Sequence, residues 1–365
     1  MAKPHTLKEA IGYDDIDLLP NFSDIESRTE GISLKTKISQ HVEIDYPLIL
    51  SPMDTVSSVE SCIAMNKMGV MGVLHRFMSL KERIEKTKKI KEESGKVCIA
   101  ISLQDNNSVL RELNTIEPDL FFLDIANGLM KKCFTYIQEY KYNINFPDLI
   151  TGNTLTMESV LKHLECGSNG IRNGIGIGGN CVTTKNTGIG CPALTANYYA
   201  WKARKQWLHI RGSVIKNDYP TILTDGGIRQ PSDLVKAIAS GADAVISGRI
   251  FAGCKETPGK VVWDEETNKE YKRYRGMASR SIQEEVGKKH IYVEGDEYLV
   301  PYTGKSVCDV VEEYCDGLRS ALSYFGFTNL EQLKGAIWED RVIAIRKTPN
   351  SLYESGAHGR SKHDQ

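Results

Sequence analysis

The stretch Gly174-Ile-Gly-Ile-Gly-Gly-Asn-Cys-Val-Thr-Thr-Lys-Asn-Thr-Gly-Ile-Gly190 gathers the residue types most able to do chemistry in this chain. Its glycines let backbone come very near a ligand, and the N–H groups of such a loop can hold an anion or lower the pKa of a thiol. Cys181 is that thiol, although on position alone a cysteine is as readily an inert, buried side chain. Thr183 would set a hydroxyl beside it, on the same side of an extended loop. Gly174, Gly176 and Gly179 spell G-x-G-x-x-G, but Thr183, Thr184, Gly188 and Gly190 follow in place of a helix, so the dinucleotide fingerprint lacks its context.

Other polar groups stand at the ends of apolar runs. Leu223-Thr-Asp-Gly-Gly-Ile228 presents Asp225, Gly226 and Gly227, Ser247-Gly-Arg-Ile-Phe-Ala-Gly253 presents Gly248 and Arg249, and Leu123-Asp-Ile-Ala-Asn-Gly128 presents Asp124 and Asn127. Asp225 can hold sugar hydroxyls through charge-assisted hydrogen bonds, while the Gly248 N–H and the Arg249 guanidinium suit a phosphate. The plainer reading of Asp-Gly-Gly is a turn and nothing more. Taken together, these residues describe a polar, nucleotide-sized site with one nucleophile.

The elements that must position them are eight short, nearly continuous apolar runs at 47–51, 69–74, 97–102, 120–125, 149–152, 170–174, 221–225 and 244–248. Helix-period segments separate them, the pattern of a parallel sheet buried on both faces, and eight such units predict a closed (β/α)8 TIM barrel. Ser79-Leu-Lys-Glu82 predicts a capped helix running to Glu93, Ser232 opens another that stops at Gly241, and apolar stripes predict helices over 157–166 and 310–324. Two segments break the alternation: 174–196, too polar and glycine-dense for a helix, and 251–309, about sixty residues with a hairpin around Asp264-Glu-Glu-Thr-Asn268. Both follow predicted strands and so belong on the C-terminal face, where barrel enzymes place their chemistry. The polar tail 355–365 is expected to be mobile.

The whole chain reads as a single barrel domain, 1–365, of globular composition. Its 365 residues carry 46 Lys+Arg against 47 Asp+Glu, a net charge of −1 that offers no general attraction to nucleic acid or an acidic membrane and favours a small-molecule partner. Nine scattered cysteines, with no C-x-x-C pair or zinc spacing, read as reduced thiols of a cytoplasmic protein. Met1-Ala-Lys-Pro-His-Thr-Leu7 lacks an apolar signal core, and no run has the length of a membrane span.

With these residues in place, the chain resembles the IMP dehydrogenase/GMP reductase family over nearly its whole length. The likeness runs through Tyr13-Asp-Asp-Ile-Asp-Leu-Leu-Pro20, Ser51-Pro-Met-Asp-Thr55, His75-Arg-Phe77, the 123–128 motif, the Cys181 loop, Asp225-Gly-Gly227, Tyr274-Arg-Gly-Met277, Glu294-Gly295 and Val300-Pro-Tyr302. The resemblance implies a barrel, usually a homotetramer, in which Cys181 attacks C2 of a purine nucleotide, GMP or IMP. Such a thiolate addition divides a difficult exchange into two easier steps. It further implies Thr183 and Glu294 as a proton relay, and Asp225, Gly226, Gly227, Gly248, Arg249, Tyr274, Gly276, Met277 and Gly295 around the substrate. Asp124, Asn127 and Gly128 would face the cofactor, and the backbone of Gly176, Gly178 and Cys181 could take a monovalent cation, K+.

The family divides into an NAD-dependent dehydrogenase and an NADPH-dependent reductase. Asp124-Ile-Ala-Asn-Gly128, Thr187-Gly188 and the absence of a CBS regulatory insert resemble reductases. So does the flap, where sixteen residues separate Met277 from Glu294 without the Arg-Tyr pair that activates water in dehydrogenases. Tyr274-Arg-Gly-Met277, Gly170-Ile-Arg172 and Glu354-Ser-Gly-Ala-His358 resemble dehydrogenases instead. The chain departs from both branches at Ile177, at Gly179, which stands where a phosphate-binding serine is expected, and at Arg249, which replaces a small residue. The expectation is an NADPH-dependent GMP reductase, with an IMP dehydrogenase using NAD, a non-catalytic nucleotide-binding barrel and a modified nucleotide substrate as the alternatives.

Overall fold

The computed structural model describes residues 9–28, 30–143, 145–178, 183–212, 219–276, 279–280, 284, 295–348 and 350–351. Eight parallel strands close a barrel: β1 Leu48–Leu50, β2 Met71–Leu74, β3 Cys98–Ile101, β4 Leu120–Leu123, β5 Asp148–Thr154, β6 Gly170–Asn173, β7 Thr221–Asp225 and β8 Ala244–Ser247. Each expected run supplies one strand, and the ring closes where Val245 of β8 registers with Leu48 of β1.

The runs are apolar throughout because both faces are covered. Ile49, Val73, Ala100, Phe122 and Ile246 belong to the cluster inside the ring, while their neighbours Leu48, Leu50, Ile99, Ile101, Phe121 and Leu123 pack outward beneath the helices. A small hairpin, Thr36–Lys37 against Glu43–Ile44, adds Ile38, Val42 and Ile44 to the inner cluster and stoppers the end opposite the strand C-termini.

Helices α1 Val59–Lys67, α2 Leu80–Ser94, α3 Asn107–Asn114, α4 Lys131–Lys141, α5 Met157–Glu165, α6 Ala193–Ile210, α7 Pro231–Ala239 and α8 Val307–Phe325 follow the strands in turn, and α9 Leu330–Trp338 comes after them. Ser79 caps α2 as its sequence predicts, its Oγ accepting from Glu82 N at 3.2 Å, and left-handed Gly95 ends it.

The structure corrects three expectations. The helix assigned to Ser232 starts earlier: Gln230 is its N-cap, Pro231 fills the first helical position, and Asp233 Oδ2 accepts from Arg229 N (2.9 Å) and Gln230 N (3.2 Å). The 174–196 segment is not helix-free, because its glycines leave a clear run from Thr183 to Thr187 that makes one helical turn, and α6 begins inside it at Ala193. The 251–309 excursion holds a third strand beyond its hairpin, so that β9 Val262–Asp264, β10 Lys269–Arg275 and β11 Glu297–Pro301 form an antiparallel sheet. A strand near the N-terminus, Ile16–Leu18, pairs with Ala344–Arg346. Residues 355–365 lie outside the described residues.

Candidate active site

The strand C-termini open into a cleft of about 1960 Å³. Its floor carries charges in alternation. Arg172, projecting from β6, donates from Nη1 to Asp124 Oδ1 and from Nε to Asp225 Oδ2, both at 2.8 Å. Asn153 at the end of β5 donates from Nδ2 to the same Asp225 oxygen at 2.8 Å and to Gly174 O at 2.7 Å. Arg76, just past β2, reaches Asp124 Oδ2 from Nε at 3.1 Å and lies 4.4 Å over the Phe77 ring. The chain Arg76–Asp124–Arg172–Asp225–Asn153 thus joins the ends of five of the eight units, β4 to β7 in succession and β2 across the end of β3. Burial pulls the Arg172 guanidinium down, but Asp225 and Asp124 together outweigh it and hold its pKa above the ordinary value.

The glycine loop and the Asp-Gly-Gly turn meet here, and their glycines are required by that contact. At Gly174, with φ of +138°, a Cβ would lie 2.8 Å from Asp225 O, and at Gly227, with φ of +82°, 2.8 Å from Ile177 Cγ2. Gly248 is equally confined, since a Cβ would fall 2.6 Å from Met53 Sδ and 3.0 Å from Tyr274 Oη. Beside it, Arg249 Nη1 donates to Tyr298 Oη at 2.7 Å, which links the β8 loop to β11. Arg275 at the end of β10 pairs with Asp54. His75 lines the same cleft; burial lowers its pKa to about 4, and its Nδ1 accepts from Phe77 N at 3.2 Å, so it is neutral with its proton on Nε2.

Of the residues singled out from the sequence, Asp124, Asn127, Gly176, Gly178, Thr183, Asp225, Gly226, Gly227, Gly248, Arg249, Tyr274, Gly276 and Gly295 all line this cleft. Gly128 differs: it is buried behind the wall, with its N–H on Asn153 O at 2.9 Å. Thr183 is not on an extended loop, because the chain turns helical at that residue and Thr187 Oγ1 donates to its carbonyl at 2.6 Å. Cys181, Gly179, Met277 and Glu294 lie outside the described residues. Sequence reading gave no role to Asn153, Arg172, Arg76 or His75. A signal for Arg172 was present: an arginine inside an apolar, twice-covered strand must have carboxylate partners.

A sequence model described as IMP dehydrogenase / GMP reductase domain matches residues 10–358. Similar proteins include the inosine-5'-monophosphate dehydrogenase of Borreliella burgdorferi, 29% identical over 96% of this chain and 97% of that protein. The dehydrogenase of Cryptosporidium parvum is 30% identical over 96% and 95%, and the GMP reductase of Lacticaseibacillus paracasei is 31% identical over 88% and 92%. No helix among the described residues is long and apolar enough to cross a membrane. A closed eight-stranded barrel, a polar cleft at its strand C-termini and a family match spanning nearly all of the chain lead to one assignment: the protein belongs to the IMP dehydrogenase/GMP reductase family of purine nucleotide oxidoreductases, which use a nicotinamide cofactor.

Proposed function

We propose that the protein is a GMP reductase, converting GMP to IMP and ammonia at the expense of NADPH. The observation that carries this reading is the short flap, sixteen residues from Met277 to Glu294 without an Arg-Tyr pair to activate water. A dehydrogenase must hydrolyse its covalent intermediate and needs such a base; a reductase does not.

In this reading the Cys181 thiolate adds to C2 of the purine. The 2-amino group takes a proton through Thr183 and Glu294 and leaves as ammonia, giving a thioimidate. Hydride then reaches C2, the C2–S bond breaks, and IMP and the thiolate are released. Hydride is what the dinucleotide supplies when bound. The size of the cleft supports room for both ligands, since ≈1960 Å³ exceeds the several hundred typical of single-ligand pockets. Asp124 and Asn127 line its wall, and the two terminal nitrogens of Arg76 have no partner among the described residues. Asp225 would hold the ribose, and Gly227, Gly248 and Arg249 the phosphate, with the Arg249 guanidinium standing in for the hydroxyl missing at Gly179. Gly276, Gly295, Tyr274 and Met277 complete the substrate contacts. A homotetramer, and K+ on the Gly176, Gly178 and Cys181 carbonyls, belong to the same reading; Thr184 Oγ1 already lies 3.4 Å from Gly176 O, so the ion would compete with that hydroxyl.

The alternative, IMP dehydrogenase with NAD, draws on the dehydrogenase-like Tyr274-Arg-Gly-Met277 and Glu354-Ser-Gly-Ala-His358 motifs. Following the near-ultraviolet absorbance of the reduced dinucleotide decides between them. GMP plus NADPH should consume it. Formation of NADH from IMP plus NAD would establish the dehydrogenase, silence in both assays would leave a binding protein or another nucleotide, and a Cys181→Ala variant that stays active would end the covalent mechanism.

A further inference from the structure

Beneath the cleft, on the outer side of β5, lies a hydrogen-bonded chain that the reaction does not use directly. His163 of α5 is fully buried. Its Nε2 lies 3.1 Å from Gly128 O and its Nδ1 2.6 Å from Thr151 Oγ1, and Thr151 Oγ1 is 2.7 Å from Ser168 Oγ. A carbonyl only accepts, so Nε2 carries the proton; Nδ1 must then accept from Thr151, which leaves Thr151 to accept from Ser168. Donation therefore runs one way, from Ser168 through Thr151 and His163 to the Gly128 carbonyl. Burial keeps the ring neutral, with its pKa lowered to about 4, and the Phe134 ring packs edge-on at 5.3 Å between centroids.

Gly128 is pressed against this ring. A Cβ there would stand 2.7 Å from His163 Nε2 and 2.9 Å from Asn153 O. Since Gly128 N also donates to Asn153 O, both backbone polar groups of that residue are fixed from behind. On the other side of the same short loop, Asp124, Ile125, Ala126 and Asn127 face the cleft.

We propose that His163 is a positioning residue: through the Gly128 carbonyl it holds the 124–128 loop in the pose that receives the nicotinamide cofactor. The role of that loop toward the cofactor rests on the functional reading above. The Gly128 carbonyl also accepts from Met130 N at 2.9 Å, so the histidine supplies its second donor from outside the loop, where an apolar residue would leave one lone pair buried and unpaired, and the Thr151 hydroxyl selects the tautomer that can donate.

Steady-state kinetics of His163→Leu and His163→Gln test the idea, because glutamine restores a donor near the Nε2 position and leucine does not. In His163→Leu the KM for the dinucleotide should rise about fivefold, the cost of losing one of the carbonyl's two donors. The nucleotide KM should stay within about twofold and kcat fall less than the dinucleotide KM rises, and His163→Gln should recover most of the loss. An unchanged dinucleotide KM, an equal rise in both KM values, or a glutamine variant no better than leucine would overturn the proposal. Backbone hydrogen exchange over 124–130 in the same variants reads the loop without turnover, and should quicken in His163→Leu and return in His163→Gln. A wild-type enzyme silent with either substrate pair would overturn the functional reading, while the exchange result still decides whether His163 holds the loop. If His163→Leu does not fold, Thr151→Val, which removes the tautomer-selecting hydroxyl at nearly constant volume, should show the same pattern to a smaller extent; an exchange rate equal to wild type there would refute the relay.

Discussion

On one side of the cleft, Asp124, Asn153, Arg172 and Asp225 come from β4 to β7 and each bonds to at least one of the others. On the other, Arg249 and Tyr298 come from the β8 loop and β11, bond to each other at 2.7 Å, and are open to solvent in whole or in part. The first side is assembled before any ligand arrives: its charges are already paired, and a ligand meets fixed donors and acceptors with little left to reorganise. The second holds its cation with a phenol in place of a carboxylate, so the positive charge stays uncompensated locally and available to an anion.

The contrast is tested most severely at Arg172. Arg172→Met removes the cation between Asp124 and Asp225, leaving Arg76 on the first and Asn153 on the second, and the free energy of unfolding, read by urea titration, should fall by about 3 kcal/mol. Its kcat/KM should fall by about a hundredfold, since both carboxylates lose their shared partner together. A variant of native stability would mean the floor is not one unit.

Acid should act next, through the buried histidines. His75 and His163 have pKa values lowered from 6.5 to about 4 by burial. The unfolded chain therefore binds protons that the native state refuses, so stability is full above the unfolded value and is lost as pH falls between the two. The loss approaches about 3 kcal/mol per histidine once pH drops below the native value, and thermal unfolding followed from neutral pH downward should show it. Removing His163 should flatten that slope; a slope unchanged in the His163→Gln protein would show that the group does not contribute.

Smaller effects belong to the solvent-facing wall. Arg249→Ala should raise the nucleotide KM by about tenfold without lowering stability, and an unchanged KM would remove Arg249 from the phosphate site. Tyr298→Phe keeps the charge and loses only its tether, so a change of about threefold in the same constant is expected. If Tyr298→Phe proved as damaging as Arg249→Ala, that wall would be as pre-assembled as the other.

The barrel was legible because each strand, covered on both faces, is an unbroken apolar run such as 120–123, and because Ser79 and Gly95 mark the ends of α2. The strand-end positions of Asp225, Gly248 and Asp124 were legible for the same reason. What they bond to was not. Asp124 and Arg76 are 48 residues apart, Asp225 and Arg172 are 53, and Asp225 and Asn153 are 72. Only closure of the ring, which no local signal encodes, decides which strand ends face one another. The turn Thr183–Thr187 escaped notice because glycines on either side dominate the local composition. His163 escaped because a histidine on an amphipathic helix looks like any other core residue until its two nitrogens have partners.

The pairing of Ile16–Leu18 with Ala344–Arg346 bears on when the cleft comes into being. Asp15 lines the cleft, and its carbonyl accepts from Lys347 N at 2.8 Å. Residue 347 leaves the ribosome only after β8 ends at Ser247, so this stretch of the rim stays an open edge while all eight barrel strands are already made. The mouth of the cleft is therefore finished later than the barrel beneath it, and clipping the chain ahead of residue 344 would be felt at the rim as directly as a change in the rim itself.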